Sequence, residues 1–157
     1  FLLLMKWMRD AGYEHYEISN FAKPGFRSRH NSSYWKGDTY IGIGPSAHSY
    51  NGIARKWNIA NNALYIQSIK KNVISYEEEN LTDTNRLNEY IMTSLRTMEG
   101  LNLKIVEEKF SLRERKRMEN EIEKYIHQRK IILHKENVIL TDEGKLFADG
   151  IAADLFS

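Results

Sequence analysis

The residues best suited to ligand chemistry crowd into the stretch from Tyr13 to Tyr50. Three histidines, His15, His30 and His48, stand there among Tyr16, Phe21, Phe26, Tyr34 and Trp35. A neutral imidazole is a good axial ligand for iron in a porphyrin, aromatic faces pack on a macrocycle, and arginine or lysine pairs with propionates. Between Asn20 and Ala60, Lys23, Arg27, Arg29, Lys36, Arg55 and Lys56 are opposed only by Asp38, a local balance of +5. From Leu101 to the end, eleven basic residues meet eleven acidic ones. The positive field therefore lies on the first third of the chain, where it attracts an anionic ligand. The competing readings are a solvated basic loop and histidines held by hydrogen bonds in a core.

Other chemistries fit less well. Gly42-Ile43-Gly44 has glycines that let a ligand approach the backbone, but a tight turn is the ordinary use of such a pair. Ser46, His48 and Ser49 lack the Gly-x-Ser-x-Gly elbow of a hydrolase nucleophile. Glu14, Glu17 and Asp38 do not form a recognisable acid–base pair, and the histidine spacing matches no His-Glu-x-x-His motif. The chain has no cysteine, which excludes disulfides, zinc–thiolate sites and cysteine nucleophiles within it.

These residues must be positioned by local elements. Residues 1–11 have an amphipathic helical pattern stopped by Gly12, and Tyr13 to Ser19 alternates as a strand. Asn20 to Arg29, with Pro24-Gly25, reads as a loop. His30 to Lys36 forms a helical turn ended by Gly37, and Tyr40 to Gly44 a short buried strand. Ser46 to Ile59 contains a hairpin turning at Asn51-Gly52, and Asn61 caps a helix through Lys71. The acidic run Glu77-Glu78-Glu79 marks a boundary. A helical module follows, with a helix that starts at Thr82 or Asp83 and carries Leu87, Tyr90, Ile91, Leu95 and Met98 on one face. A short helix spans Leu103 to Phe110. Ser111 caps another, with Glu114 as its capping-box partner and an apolar face of Met118, Ile122, Tyr125 and Ile126. Two strands, Lys130 to His134 and Asn137 to Leu140, precede a final helix capped by Thr141 that carries Leu146, Phe147, Ile151 and Leu155. Three helices, a two-stranded wing and a helix form the order of a winged-helix-like module.

In bulk, 157 residues with 41% hydrophobic and 28% charged side chains describe a globular protein. No apolar run reaches the ~20 residues of a membrane span. Phe1-Leu2-Leu3-Leu4-Met5 is too short for a signal peptide and runs into Lys6-Trp7-Met8-Arg9-Asp10, so an amphipathic helix is the better reading. A first residue other than Met suggests a fragment, and cytoplasm is the default location.

Three blocks in order carry a family resemblance. They are Tyr16-Glu17-Ile18-Ser19-Asn20-Phe21-Ala22-Lys23-Pro24-Gly25, then Arg29-His30-Asn31-Ser32-Ser33-Tyr34-Trp35, then Tyr40-Ile41-Gly42-Ile43-Gly44-Pro45-Ser46-Ala47-His48-Ser49. Together with Ile139-Leu140-Thr141-Asp142-Glu143-Gly144 they resemble the later part of the radical-SAM family that holds oxygen-independent coproporphyrinogen III dehydrogenase and its haem-chaperone relative. The His-Asn-x-x-Tyr-Trp block is similar to the signature of the chaperone branch, so that branch is favoured. The resemblance implies an α+β chain. Residues 1–75 would be the last strands and helices of a truncated (β/α) barrel, and 80–157 a winged-helix-like C-terminal domain. It implies haem binding by His30, Asn31, Tyr34 and Trp35, with His30 as iron ligand. Gly42, Ile43 and Gly44 would lie on the S-adenosylmethionine side. The family's Cys-x-x-x-Cys-x-x-Cys motif is absent, so the [4Fe–4S] cluster and S-adenosylmethionine belong to a longer protein.

The partners this implies are haem or porphyrin and a haem-accepting protein, with self-association through exposed sheet edges. The alternatives are the dehydrogenase itself and a winged-helix nucleic-acid module. The second is disfavoured because Arg113, Arg115, Lys116 and Arg117 sit among Glu114, Glu119, Glu121 and Glu123. Ion pairs of Arg115 with Glu119 and of Arg117 with Glu121 are the better account of that helix.

Overall fold

The amphipathic opening folds as expected in the computed structural model, which describes residues 1–157 throughout. Helix α1 spans Leu2–Asp10, and Gly12 follows it at φ 74°, a backbone angle glycine adopts without strain. Strand β1, Glu14–Glu17, pairs antiparallel with β2, Asn20–Ala22, so the segment expected as loop begins with a strand. A local polar staple makes this hairpin, because the Glu17 carboxylate accepts the Ser19 N–H at 2.9 Å and the Asn20 side-chain amide. Helix α2, Arg29–Lys36, starts where the Ser28 hydroxyl accepts the Asn31 N–H at 3.2 Å, and Gly37 ends it at φ 71°.

Residues Gly37–Thr82 form one compact unit, and Phe1–Lys36 with Asp83–Ser157 form the other. The expected division into 1–75 and 80–157 follows the order of the chain, whereas the compact units do not. In the Gly37–Thr82 unit, β3 (His48–Tyr50), β4 (Ala54–Asn58) and β5 (Tyr76–Asn80) make a sheet in the order β3-β4-β5. The Asn51 side chain accepts the N–H groups of Ile53 and Ala54 and closes the β3–β4 hairpin where Asn-Gly predicts it. Asn61 caps α3, Asn62–Lys70.

One expectation fails in this unit. Tyr40 to Gly44 is not a buried strand: only Tyr40 pairs, with Tyr50, and Ile41 and Ile43 are 85% and 89% exposed. Gly42 takes an inward position, because a Cβ there would lie 2.1 Å from the His48 carbonyl oxygen. The Glu77-Glu78-Glu79 run, read as a boundary, comes just before the Thr82–Asp83 division between the units and is itself part of a strand. It forms the middle of β5, in register with Trp57, Lys56 and Arg55 of β4. Lys56 reaches Glu78 at 3.4 Å, and the Trp57 indole donates to Glu77 at 3.1 Å. Opposite charges across a strand pair make this acidic stretch a strand.

The remaining elements are α4 (Asp83–Leu95), β6 (Leu101–Asn102), α5 (Leu103–Lys109), α6 (Leu112–His127), β7 (Ile131–His134), β8 (Asn137–Leu140) and α7 (Ala148–Asp154), the last entered through a 3₁₀ turn at Gly144–Phe147. This is the expected order of helices and wing, with β6 added; the sheet order is β6-β8-β7. Asn102 caps α5 and Ser111 caps α6, while the Thr141 hydroxyl accepts the Gly144 N–H at 3.0 Å. Leu87, Ile91, Leu95, Leu101, Val106, Met118, Ile122, Val138 and Ile151 are buried together in one core.

Met98, Ile126, Leu146 and Phe147 are exposed rather than in that core. They sit near the ends of their elements, where a helical stripe runs past the surface it covers. Arg117 pairs with Glu114 at 2.8 Å instead of Glu121. It also donates to the Leu155 and Phe156 carbonyls, acceptors that the end of α7 leaves without helical partners.

Candidate functional site

Helix α2 carries the His30–Trp35 block, and its 100° step per residue divides that block between two faces. His30 and Tyr34, four apart, share one face; their rings meet edge to face with centroids 5.0 Å apart. Both are exposed, and the His30 ring nitrogens have no hydrogen-bond partner. Asn31 and Trp35 share another face, turned toward the hairpin. The Asn31 amide donates to the Asn20 side chain at 3.4 Å, and Trp35 lies against Tyr16 with centroids 5.8 Å apart. Trp35, one of the four residues grouped by the resemblance, therefore packs on Tyr16, while His30 pairs with Tyr34. Trp35 fixes the helix that presents the imidazole.

The hairpin is itself anchored by a pair absent from the sequence reading. The Glu17 side chain, 2% exposed, accepts the Arg96 Nε–H at 2.9 Å. Arg96 lies just past α4, and its carbonyl accepts the Ile18 N–H at 3.0 Å. The first motif block thus ties α2 to α4, with Tyr16 buried beneath Trp35 and its hydroxyl oxygen accepting the Ser28 N–H at 3.3 Å.

Beside α2 lies an open cleft of about 730 Å³. Tyr16, Trp35 and Tyr90 supply its aromatic wall, and Arg27, Arg29 and Lys36 its cations. Arg27 is committed: Glu14 and Glu99 accept from it at 2.8 and 2.7 Å, and these bonds hold its guanidinium more firmly charged than usual. Burial raises the Tyr90 phenol above its ordinary range, so it is neutral at physiological pH.

His15 has another role. Its Nε2–H donates to the Ile18 carbonyl at 2.8 Å, so Nδ1 is the open acceptor, and the Lys145 ammonium lies 3.2 Å from it. The ring stacks on Phe21 at 4.2 Å. Burial lowers its pKa, and the Lys145 charge adds to that, which keeps the imidazole neutral. It acts as a joint between the hairpin and the turn before α7.

In the Gly37–Thr82 unit the polar groups of Gly42-Ile43-Gly44 are largely taken. Gly42 N–H donates to the Ser49 hydroxyl and Gly44 N–H to the Tyr65 hydroxyl. The buried Asn58 amide donates to both glycine carbonyls.

Comparison with known proteins agrees with this architecture. Residues 81–147 match the family described as the HemN C-terminal domain. The fold is similar to coproporphyrinogen III oxidase (HemN) from Escherichia coli, described as a radical SAM enzyme, with a TM-score of 0.70 at 15% identity. That match covers 98% of this chain and 39% of the other. The class is thus a HemN-type C-terminal region.

Similarity in sequence is more particular. The chain is 31% identical over 143 residues to the heme chaperone HemW of Lactococcus lactis, covering 90% of this chain and 37% of that protein. It is 31% identical over 151 residues to the heme chaperone HemW of Bacillus subtilis, covering 95% and 40%. A 41-residue stretch is 56% identical to the mitochondrial radical S-adenosyl methionine domain-containing protein 1 of Mus musculus, covering 26% and 9%. Residues 81–147 thus carry the HemN C-terminal domain, and the chain as a whole is similar to the C-terminal part of the HemN and HemW proteins. It spans about two-fifths of the length of the curated HemW relatives it matches.

Proposed function

We propose that this chain is the C-terminal part of a radical-SAM haem chaperone, and that α2 presents His30 as an axial ligand to haem on its way to an acceptor protein. The observation that carries the reading is an exposed imidazole with both ring nitrogens unbonded, on a helix held by Asn31 and Trp35. Its donor chemistry suits haem iron, because neutral imidazole is a common axial ligand. When bound, haem supplies an iron with an open axial position. Tyr34 flanks the imidazole and limits its rotation. The HemW relatives favour a chaperone over the coproporphyrinogen III dehydrogenase of the same family, since their sequences are similar over nine-tenths of the chain.

Radical chemistry is placed in a longer protein, where cysteines hold a [4Fe–4S] cluster and bind S-adenosylmethionine. We keep Gly42, Ile43 and Gly44 on that side as a backbone shelf only, given how their polar groups are used. No helix is long and apolar enough to cross a membrane, and we place the protein in the cytoplasm. Self-association through the β5 edge is opposed by Glu77, Glu78 and Glu79, since charges blunt an edge strand. Nucleic-acid binding is the weaker alternative. Arg115 is occupied by Glu107, Glu119 and Glu136, and Arg117 by Glu114, which leaves no coherent positive face on α6.

The test is an absorbance titration with haem. The expected result is a saturable Soret shift that His30→Ala abolishes while its circular dichroism stays unchanged. A shift that persists in His30→Ala, or none in the parent chain, refutes His30 as the ligand.

A further inference from the structure

We propose that α2 carries a second ligand site on its inward face: the cleft binds the planar body and carboxylate arms of a porphyrin without using the metal. The choice of porphyrin rests on the haem reading above, whereas the shape and charge of the cleft do not. Arg29, Ser32, Ser33 and Lys36 recur at i, i+3, i+4 and i+7, so they form one stripe. All four line the cleft, and neither His30 nor Tyr34 does.

What the cleft offers is decided by which of its polar groups are free. Ser32 and Ser33 donate their hydroxyls to the Ser28 and Arg29 carbonyls. Tyr90 accepts the Asn102 N–H, and Thr97 donates to the Ser94 carbonyl. Arg27 is taken by Glu14 and Glu99. Arg29 and Lys36 remain, exposed and in no ion pair or side-chain hydrogen bond. Seven residues separate them, which puts their backbones about 10 Å apart along the helix axis.

Two free cations at that spacing suit a ligand with two carboxylates on separate arms, and the arginine adds bidentate geometry. The wall behind them is aromatic: Tyr16, Trp35 and Tyr90 offer ring surface for a flat apolar body. The volume of about 730 Å³ is that of a small-molecule site. A small inorganic anion would use the cations and leave this wall idle.

A metal-free dicarboxylate porphyrin is the probe, because it removes any contribution from iron ligation. Binding is read by quenching of tryptophan fluorescence and by porphyrin absorbance, for the parent chain and for Arg29→Ala/Lys36→Ala. A control variant, Lys6→Ala/Lys116→Ala, loses the same net charge at exposed positions that do not line the cleft. Saturable binding that weakens about 10- to 100-fold in the α2 variant and less than about threefold in the control supports the site. Equal weakening in both variants shows general electrostatic attraction and overturns it. So does an unchanged affinity in the α2 variant, or no binding by the parent chain. The two readings fail separately, because the haem Soret shift tests His30 and the metal-free probe tests the cleft.

Discussion

Replacing Arg96 with methionine keeps most of its aliphatic stem but removes the guanidinium opposite a carboxylate that solvent cannot reach. Glu17, 2% exposed at its side chain, keeps only the Ser19 N–H and the Asn20 amide. Removing one partner of a buried ion pair costs about 3–5 kcal/mol, because the other charge stays uncompensated. For a chain of this size each kcal/mol lowers Tm by about 2–4 °C, so Arg96→Met should melt about 6–20 °C lower. Its second partner, Asp149, is 78% exposed at the side chain, and Asp149→Ala should cost under about 0.5 kcal/mol. Glu17→Gln should be nearly as damaging as Arg96→Met. Every partner of the carboxylate is a donor, so the amide N–H₂ must face another donor. Removing both charges in Glu17→Met/Arg96→Met should restore much of the loss, by about 1–4 kcal/mol relative to the sum of the single changes. The assay is urea and thermal denaturation followed by circular dichroism. A loss below about 1 kcal/mol for Arg96→Met, or strict additivity in the cycle, would refute the claim that this pair anchors the hairpin.

Two further predictions test the joints around that hairpin. His15 is held neutral, with its pKa lowered from the ordinary 6.5 first by burial. The unfolded chain therefore takes up a proton that the folded chain resists, and stability should fall as pH drops from about 6.5 toward the folded value. His15→Gln, which titrates nowhere in that range, should flatten the slope in denaturation curves between pH 7 and 5; an unchanged slope would show that other groups carry it. At Gly144 a Cβ would lie 1.9 Å from the Lys130 carbonyl oxygen, whereas at Gly150, within α7, it would meet nothing within 4 Å. Gly144→Ala should lower stability by about 1–3 kcal/mol, and Gly150→Ala should raise it by about 0.5–1 kcal/mol; melting temperatures that move in the same direction would contradict the packing described.

Local structure was legible where the signal lies within a few residues. The Asn51-Gly52 turn, the Asn61 and Ser111 caps and the Gly12 and Gly37 stops are each specified by neighbouring side chains and backbone. Elements that depend on a distant partner were not legible. Strand β5 reads only as an acidic boundary until Arg55 and Lys56 stand opposite its glutamates. Strand β6 has two residues and no pattern, and exists because β8 pairs with it. Glu17 reads as one of several carboxylates, since nothing within its own segment points to Arg96, 79 residues away.

The candidate site was legible in its residues but not in its grouping. A motif read along the chain puts His30, Asn31, Tyr34 and Trp35 in one pocket, whereas the helix sends them to two faces. Once the internal contacts are assigned, much of the resemblance-bearing sequence has a structural task. Tyr16, Glu17, Ser19, Asn20, Asn31 and Trp35 bond or pack with one another and with Arg96. Conformational entropy is lost in holding such a joint, and the joint's effect is to fix the direction of α2. On that helix His30 presents unbonded nitrogens, and Arg29 and Lys36 present unpaired charges. Groups held on a rigid element without an internal partner are the ones available to a ligand. On the two proposals above, His30, Arg29 and Lys36 supply the polar contacts to a ligand, and Tyr16 and Trp35 both hold the helix and offer ring surface beside it.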